Sequence, residues 1–293
     1  MSTAGAQPRL RVAFAGAFAV RLEQPVRAHL RMPCDIILDD EAGIVSRLSD
    51  VDVLVTMAFT RAMGGAATRL KLVQVPGAGL ERIDRSALPA GAVLANVYGH
   101  ETGIAEYVLG AMLTMTRDFA RLDAALRRGL WESQWAVGAP PPPVWPELAG
   151  KTLGILGYGR IGQCVARRAR AFAMEVCAIR RDVARSAEDE LALLGGLEIV
   201  DEVLQRADYL VISLPVTPET RGLVGAKQLH TMKPTAVLVN VSRAEIIDEE
   251  TLYRALAART IAGAALESGI AIRRPPDPRG PRTSRSTNCP MSS

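Results

Sequence analysis

The stretch Thr152-Leu153-Gly154-Ile155-Leu156-Gly157-Tyr158-Gly159-Arg160-Ile161-Gly162 decides the fold. Its first five residues read as a buried β-strand, and Ile161–Phe172 then reads as a helix with Ile161, Val165 and Phe172 on one face. A second strand follows at Val176–Ile179. The glycines between strand and helix fit GxGxxG, a weak signal alone because glycines gather at turns for backbone reasons. Inside a βαβ unit it points to dinucleotide binding. Gly157 permits the tight turn, Gly159 lets a pyrophosphate approach the backbone, and Gly162 lets the helix pack on the strand. The phosphates then lie at the helix N-terminus.

Outward from this unit the chain keeps the same rhythm. Later strands read at Tyr209–Ser213, Ala236–Asn240 and Ala262–Ala265. Before it, short apolar runs at Val12–Ala15, Ile36–Leu38, Val51–Thr56, Leu72–Val75 and Val93–Asn96 alternate with helical stretches, the pattern of a second parallel-sheet unit. Residues 103–128 read as one long helix with Ile104, Val108, Met112 and Met115 on one face. A loop bearing Trp131, Trp135 and Trp145 and the Pro140–Pro143 run leads on to Gly150. The fold class expected is α/β, with a smaller domain at 1–102 and a Rossmann-type doubly wound domain at 103–267.

An acid about 20 residues past the glycines would bond the ribose 2′-hydroxyl. Here Arg180 and Arg181 stand at the end of the second strand and Asp182 comes only afterwards. A guanidinium cannot accept from a hydroxyl but pairs well with a 2′-phosphate, so NADP is preferred and NAD is the alternative, with Asp182 as the ribose ligand.

Several stretches together resemble the coenzyme domain of the D-isomer-specific 2-hydroxyacid dehydrogenases. They are residues 154–162, Leu214-Pro215-Val216-Thr217-Pro218-Glu219-Thr220-Arg221-Gly222-Leu223, Met232-Lys233-Pro234, Asn240-Val241-Ser242-Arg243 and Ile261-Ala262-Gly263-Ala264-Ala265-Leu266. The first half is similar, more loosely, to the family's flavodoxin-like substrate domain through Gly77–Asp84 and Ile104-Ala105-Glu106.

The resemblance implies a set of roles. Gly157 to Gly162 cradle the cofactor, with the backbone amides of Arg160 and Ile161 on the pyrophosphate. Leu214, Pro215 and Thr220 line the groove, and Val241, Ser242, Arg243 and Glu267 lie near the nicotinamide. Arg243 grips the substrate carboxylate and keto oxygen as the catalytic arginine, a task suited to a permanently charged, bidentate group. Ala78 and Gly79 hold the carboxylate through their amides. His100 either lines the pocket mouth or is a satisfied loop histidine. The implied activity is hydride transfer between NADP(H) and a small 2-oxoacid or 2-hydroxyacid, in a homodimer joined through the region Arg117–Trp145.

The chain leaves the family pattern at Glu267, where relatives carry aspartate, and no histidine follows to serve as the proton donor. The five arginines at 273, 274, 279, 282 and 285 outweigh the single Asp277 and account for the whole net charge of +4. The rest of the chain is neutral, so the pI near 9.0 does not argue for a nucleic-acid partner. Residues 268–293 are expected to be a disordered basic extension or, preferably, an out-of-frame tail: in another frame their codons permit family-like sequence at both ends. Impaired catalysis follows as an expectation. A non-catalytic NAD(P)-sensing protein of corepressor type and an unstable truncated product are the alternatives.

The remaining classes are disfavoured by composition. The four cysteines, Cys34, Cys164, Cys177 and Cys289, form no CxxC pair and only three histidines exist, so neither a disulfide framework nor a metal site is expected. A cytoplasmic setting is the default. Arg9 and Arg11 before the apolar run Val12–Val20 imitate a secretory signal, but a buried first strand is the preferred reading. No run reaches the ~18 apolar residues of a membrane span.

Overall fold

The computed structural model describes residues 9–131, 146–185 and 190–267. Trp135, Trp145, the proline run and the tail from 268 onward lie outside them. The chain divides into two compact units, with the boundary between Ile104 and Ala105.

In the first unit, among the described residues, five parallel strands stand in the order β2-β1-β3-β4-β5. They are β1 (Leu10–Ala15), β2 (Cys34–Asp39), β3 (Val53–Thr56), β4 (Leu72–Gln74) and β5 (Val93–Ala95). This 2-1-3-4-5 order is flavodoxin-like. The apolar run that imitates a secretory signal is β1 followed, after Gly16, by the short helix α1 (Ala17–Arg21). A parallel sheet needs cover on both faces, and β1 shows it. Val12 and Phe14 pack with Ala19 on one side. Ala13 and Ala15 face Ile44, Leu48 and Met63 on the other. Helices α2 (Glu23–Arg27) and α3 (Arg61–Ala66) complete the connections. Thr60 caps α3, its hydroxyl accepting the Met63 amide at 3.3 Å.

The long helix expected over 103–128 is two helices, α4 (Glu101–Arg117) and α5 (Phe119–Arg127). Asp118 between them adopts φ +51°, the left-handed region that aspartate tolerates better than most residues. The apolar spacing runs across this break, which is why periodicity alone does not show it.

The second unit holds six parallel strands among the described residues: β6 (Thr152–Leu156), β7 (Glu175–Ile179), β8 (Leu193–Gly195), β9 (Tyr209–Ile212), β10 (Val237–Asn240) and β11 (Gly263–Leu266). Their order, β11-β10-β9-β6-β7-β8, is the Rossmann order 3-2-1-4-5-6 read from the far edge. Helices α6 (Arg160–Ala171), α7 (Val200–Arg206), α8 (Ala226–Thr231) and α9 (Glu249–Ala257) link them. Strand β8 is an addition to the sequence reading, being only three residues long and at the sheet edge. Phe172 is a correction: it lies at the C-cap of α6 and is 41% exposed rather than on the buried face.

The core of this unit joins Leu156, Ile179, Leu210, Ile212 and Leu238 to Val203, Leu229 and Leu252 on the helices. Burying each such side chain stabilises by about 1.5–3 kcal/mol. Gly154 lets α7 come close, because a Cβ there would lie 2.9 Å from the Ala207 methyl carbon. Met115 of α4 fills the space over Gly263, and the Thr116 hydroxyl meets the buried Tyr209 hydroxyl at 2.6 Å. Burial pushes the Tyr209 phenol up, against the Thr116 hydrogen bond.

Candidate active site

In an open parallel sheet, ligands bind beyond the carboxyl ends of the strands where the strand order reverses. In the second unit that point lies between β6 and β9, and a groove of about 780 Å³ opens there. The volume falls in the range of small-molecule and cofactor sites.

Gly157, Tyr158 and Gly159 form one part of the groove. Gly157 has φ +108°, and a Cβ on it would sit 2.8 Å from the backbone of both Ser213 and Leu214. Only glycine fits both requirements. A Cβ on Gly162 would lie 2.4 Å from the Gly157 carbonyl oxygen, so this glycine sets how closely α6 approaches the turn. Gly159 differs: a Cβ there meets nothing within 4 Å, leaving open the approach a pyrophosphate needs.

The turn is tied down by its neighbours. The Gly157 and Tyr158 amides donate to the Ile179 carbonyl at 3.2 and 2.7 Å. The Tyr158 side chain is buried, at 1% exposure, so its contribution to the groove is that of a wall, not of a polar ligand. Arg160 and Ile161 begin α6. Amides in a helix's first turn have no acceptor within the helix, which suits them to an anion.

Beyond β7, Arg180, Arg181 and Asp182 line the groove, and Gly196, Leu197 and Glu198 follow β8. Amides of its own turn, its own and that of Gly196, hold the Glu198 carboxyl below the usual range.

The wall after β9 contains Ser213, Leu214, Pro215, Thr217, Glu219 and Thr220. Thr220 is buried, and its hydroxyl donates to the Pro215 carbonyl at 2.7 Å while receiving the Thr217 amide at 2.8 Å. Its hydroxyl thus shapes the loop that lines the groove. The Thr217 hydroxyl, the amide of Glu219 itself and the Arg181 charge keep the Glu219 carboxyl below the ordinary range.

Two residues without a role in the sequence reading organise this edge. The Ser213 hydroxyl donates to the Gly157 carbonyl at 2.8 Å, tying the glycine turn to the end of β9. Asn240, fully buried at the end of β10, donates from Nδ2 to the Arg243 carbonyl at 3.0 Å and accepts the Ser242 amide at 2.9 Å. Its backbone carbonyl accepts the Glu267 amide at 3.0 Å. Each is a polar residue ending an all-apolar strand, and that is the signal by which sequence could have found them.

Val241, Ser242, Arg243 and Glu267 gather on the β10 and β11 side of the same sheet edge. Val241 is buried and donates its amide to the Ile212 carbonyl at 3.1 Å. The Ser242 hydroxyl donates to the Leu214 carbonyl, joining this turn to the wall of the groove. Arg243 is half-buried, with Nη1 donating to the Ser242 carbonyl at 3.1 Å.

Ala78, Gly79 and His100 belong to the first unit, past the ends of β4 and β5. The Asn96 side chain donates to the Ala78 carbonyl at 2.9 Å and the Val97 amide to the Gly77 carbonyl at 3.1 Å. His100 precedes α4, and its carbonyl accepts the Ile104 amide at 3.2 Å.

Comparison with known proteins agrees with this geometry. The family model of the D-isomer specific 2-hydroxyacid dehydrogenase, NAD binding domain, matches residues 109–271. The glyoxylate reductase of Thermococcus gammatolerans is 34% identical over 229 residues, spanning 76% of this chain and 68% of that one. The D-3-phosphoglycerate dehydrogenase of Methanocaldococcus jannaschii is 34% identical over 232 residues, but the match spans only 42% of its length. Among solved structures, the 2-hydroxyacid dehydrogenase of Ketogulonicigenium vulgare Y25 superposes with a TM-score of 0.74 at 26% identity, covering 93% of this chain and 85% of that one. A dinucleotide turn at the switch point, an arginine turn at the end of β10 and these matches lead to one assignment: the chain belongs to the D-isomer specific 2-hydroxyacid dehydrogenase family, and its second unit contains that family's NAD-binding domain.

Proposed function

We propose that the groove binds NADP(H) in preference to NAD(H) and that the chain's chemistry is exchange between a small 2-oxoacid and its 2-hydroxyacid. The observation that carries the reading is the contrast within the glycine turn. Gly157 and Gly162 are closed in by backbone, whereas Gly159 opens to the groove. The dinucleotide, when bound, supplies the hydride. Arg180 and Arg181 attract the 2′-phosphate, and the first amides of α6 receive the pyrophosphate. Arg243, its backbone fixed by Asn240, binds the substrate carboxylate. The glyoxylate reductases among its relatives support a small substrate.

The proton donor is the weak point of this chain. Its three histidines are His29, His100 and His230, and none follows Glu267. The Nδ1 atoms of His29, just past α2, and of His230, within α8, lie 2.8 Å from the carbonyls of Pro25 and Ala226, each four residues earlier. We therefore propose that the 293-residue chain binds cofactor but turns over slowly, since a general acid contributes about 10²–10⁴ in rate. The same observation favours a second reading, a cofactor-sensing protein without turnover. Titration with NADPH and NADH, followed by assays with glyoxylate and hydroxypyruvate, tests both. Tighter NADH than NADPH binding contradicts the cofactor assignment, and dehydrogenase rates normal for relatives contradict the impairment.

The division of labour between a substrate-binding domain at 1–102 and a cofactor domain at 103–267, homodimerisation and a cytoplasmic setting complete the proposal. Phe119, Leu126, Leu130 and Trp131, each more than half exposed, support a self-association surface along and just beyond α5. Among the described residues no helix is long and apolar enough to cross a membrane.

A further inference from the structure

The groove assigned to the dinucleotide is not simply basic. Among its lining residues Arg180 and Arg181 are accompanied by Asp182, Glu198 and Glu219. The three acids are placed differently. Asp182 adjoins Arg181 in the chain. The Glu198 carboxylate receives the Gly196 amide at 2.7 Å and so is engaged within its own turn. Glu219 belongs to another wall, the loop after β9, whose shape is set by the Thr217–Thr220 hydrogen bonds and the Thr220 bond to Pro215. Glu219 is exposed and ionised at neutral pH, and the Arg181 charge is felt at its carboxyl. Arg181 and Glu219 thus line one groove, a cation and an anion together before any ligand arrives.

A 2′-phosphate brings a charge near −2 to the same arginine. It gains the Arg181 attraction and meets the Glu219 repulsion, whereas a 2′-hydroxyl carries no net charge for either to act on. We propose that Glu219 is a specificity-determining residue whose carboxylate opposes a 2′-phosphate at Arg181 and so narrows the preference for NADP over NAD that the arginine pair creates. This rests on the reading of the groove as a dinucleotide site and adds to it a residue that weakens discrimination.

The test uses the full chain and two probes that differ only at the 2′ position, 2′,5′-ADP and 5′-AMP, titrated calorimetrically. Glu219→Gln is expected to tighten 2′,5′-ADP by about two- to fivefold, the scale of one exposed charge interaction, and to leave 5′-AMP unchanged. The gain should shrink as salt rises from about 50 to 300 mM, because the charges are screened. In an Arg181→Gln background the same substitution should gain less, as a double-mutant cycle reports direct coupling. Glu219→Ala, which also removes the Thr217 hydrogen bond, should act in the same direction. Equal effects on both probes, or none on 2′,5′-ADP, overturn the proposal while leaving the site intact. Failure of the unaltered chain to bind either probe overturns it together with the dinucleotide reading.

Discussion

Ser213 donates its hydroxyl to the carbonyl of Gly157 at 2.8 Å, so the glycine turn is held from the neighbouring strand as well as by its own backbone. Ser213→Ala removes one neutral hydrogen bond, typically worth about 0.5–1.5 kcal/mol. Because the bond fixes the turn and not the core, we expect NADPH affinity to fall about two- to tenfold with little change in melting temperature. Unchanged affinity in a fluorescence titration would show that the turn holds its shape without Ser213.

The roles of Gly157 and Gly159 in the turn can be separated. Gly157→Ala meets both a positive φ and a clash with Ser213 and Leu214 backbone, so a loss of stability of about 1–3 kcal/mol or more is expected. Gly159→Ala meets no neighbour and has φ −92°, so the fold should melt at the same temperature or slightly higher. Its dinucleotide affinity should nevertheless drop, because the methyl group occupies the approach. Thermal melts and nucleotide titrations of the pair check this, and normal NADPH binding by the Gly159 variant would contradict the placement of the pyrophosphate.

Asn240→Ala leaves two partners in the Arg243 turn without their buried side-chain hydrogen bonds. The expected cost is about 1–3 kcal/mol in stability, together with weaker binding of oxamate, a 2-oxoacid mimic, to the NADPH-loaded protein. Arg243→Ala should instead abolish oxamate binding while NADPH affinity and melting temperature stay near those of the unaltered chain. Calorimetry distinguishes the two, and oxamate binding that survives in both would remove Arg243 from the substrate site.

Acid stability should depend on Asp52, which is 1% exposed. Burial pushes its carboxyl up, but the Arg11 amide at 3.1 Å and the Lys71 and Arg69 charges outweigh this and hold it below its ordinary 3.8. A depressed folded value means that the contribution is complete above the unfolded pKa and is lost as pH falls through the folded one. Denaturant titrations should therefore show stability falling below about pH 4, with a shallower fall in Asp52→Asn. An identical slope in the two proteins would assign the acid sensitivity elsewhere.

The sheets were legible in sequence because parallel strands are buried on both faces and read as short apolar runs, as Tyr209–Ile212 and Val237–Val239 do. Gly157 and Gly162 were legible because close backbone approach demands glycine there. Strand β8 was not, since three residues ending in Gly195 offer no period to detect. The break at Asp118 depends on one backbone angle and leaves the apolar spacing intact. Ser213 escaped because its partner Gly157 is distant in the chain, and Asn240 because its bonds to Ser242 and Arg243 belong to a short turn: serine and asparagine also occur at strand ends as ordinary loop polarity.

The same electrostatic fastening occurs in both units. Asp208 accepts the Thr152 amide at 2.9 Å and Lys233 at 3.0 Å, as Asp52 accepts the amide of Arg11 and the charge of Lys71. Both aspartates sit just before a strand, at the amino edge of the sheet, whereas every residue assigned to a ligand lies past the carboxyl edge. On the proposed assignment fastening and recognition occupy opposite rims, which leaves the ligand rim free to diverge: exchanging Arg180, Arg181 or Glu219 should alter cofactor choice without unlatching the sheet, and an evolving lineage can explore new ligands at little risk to its fold.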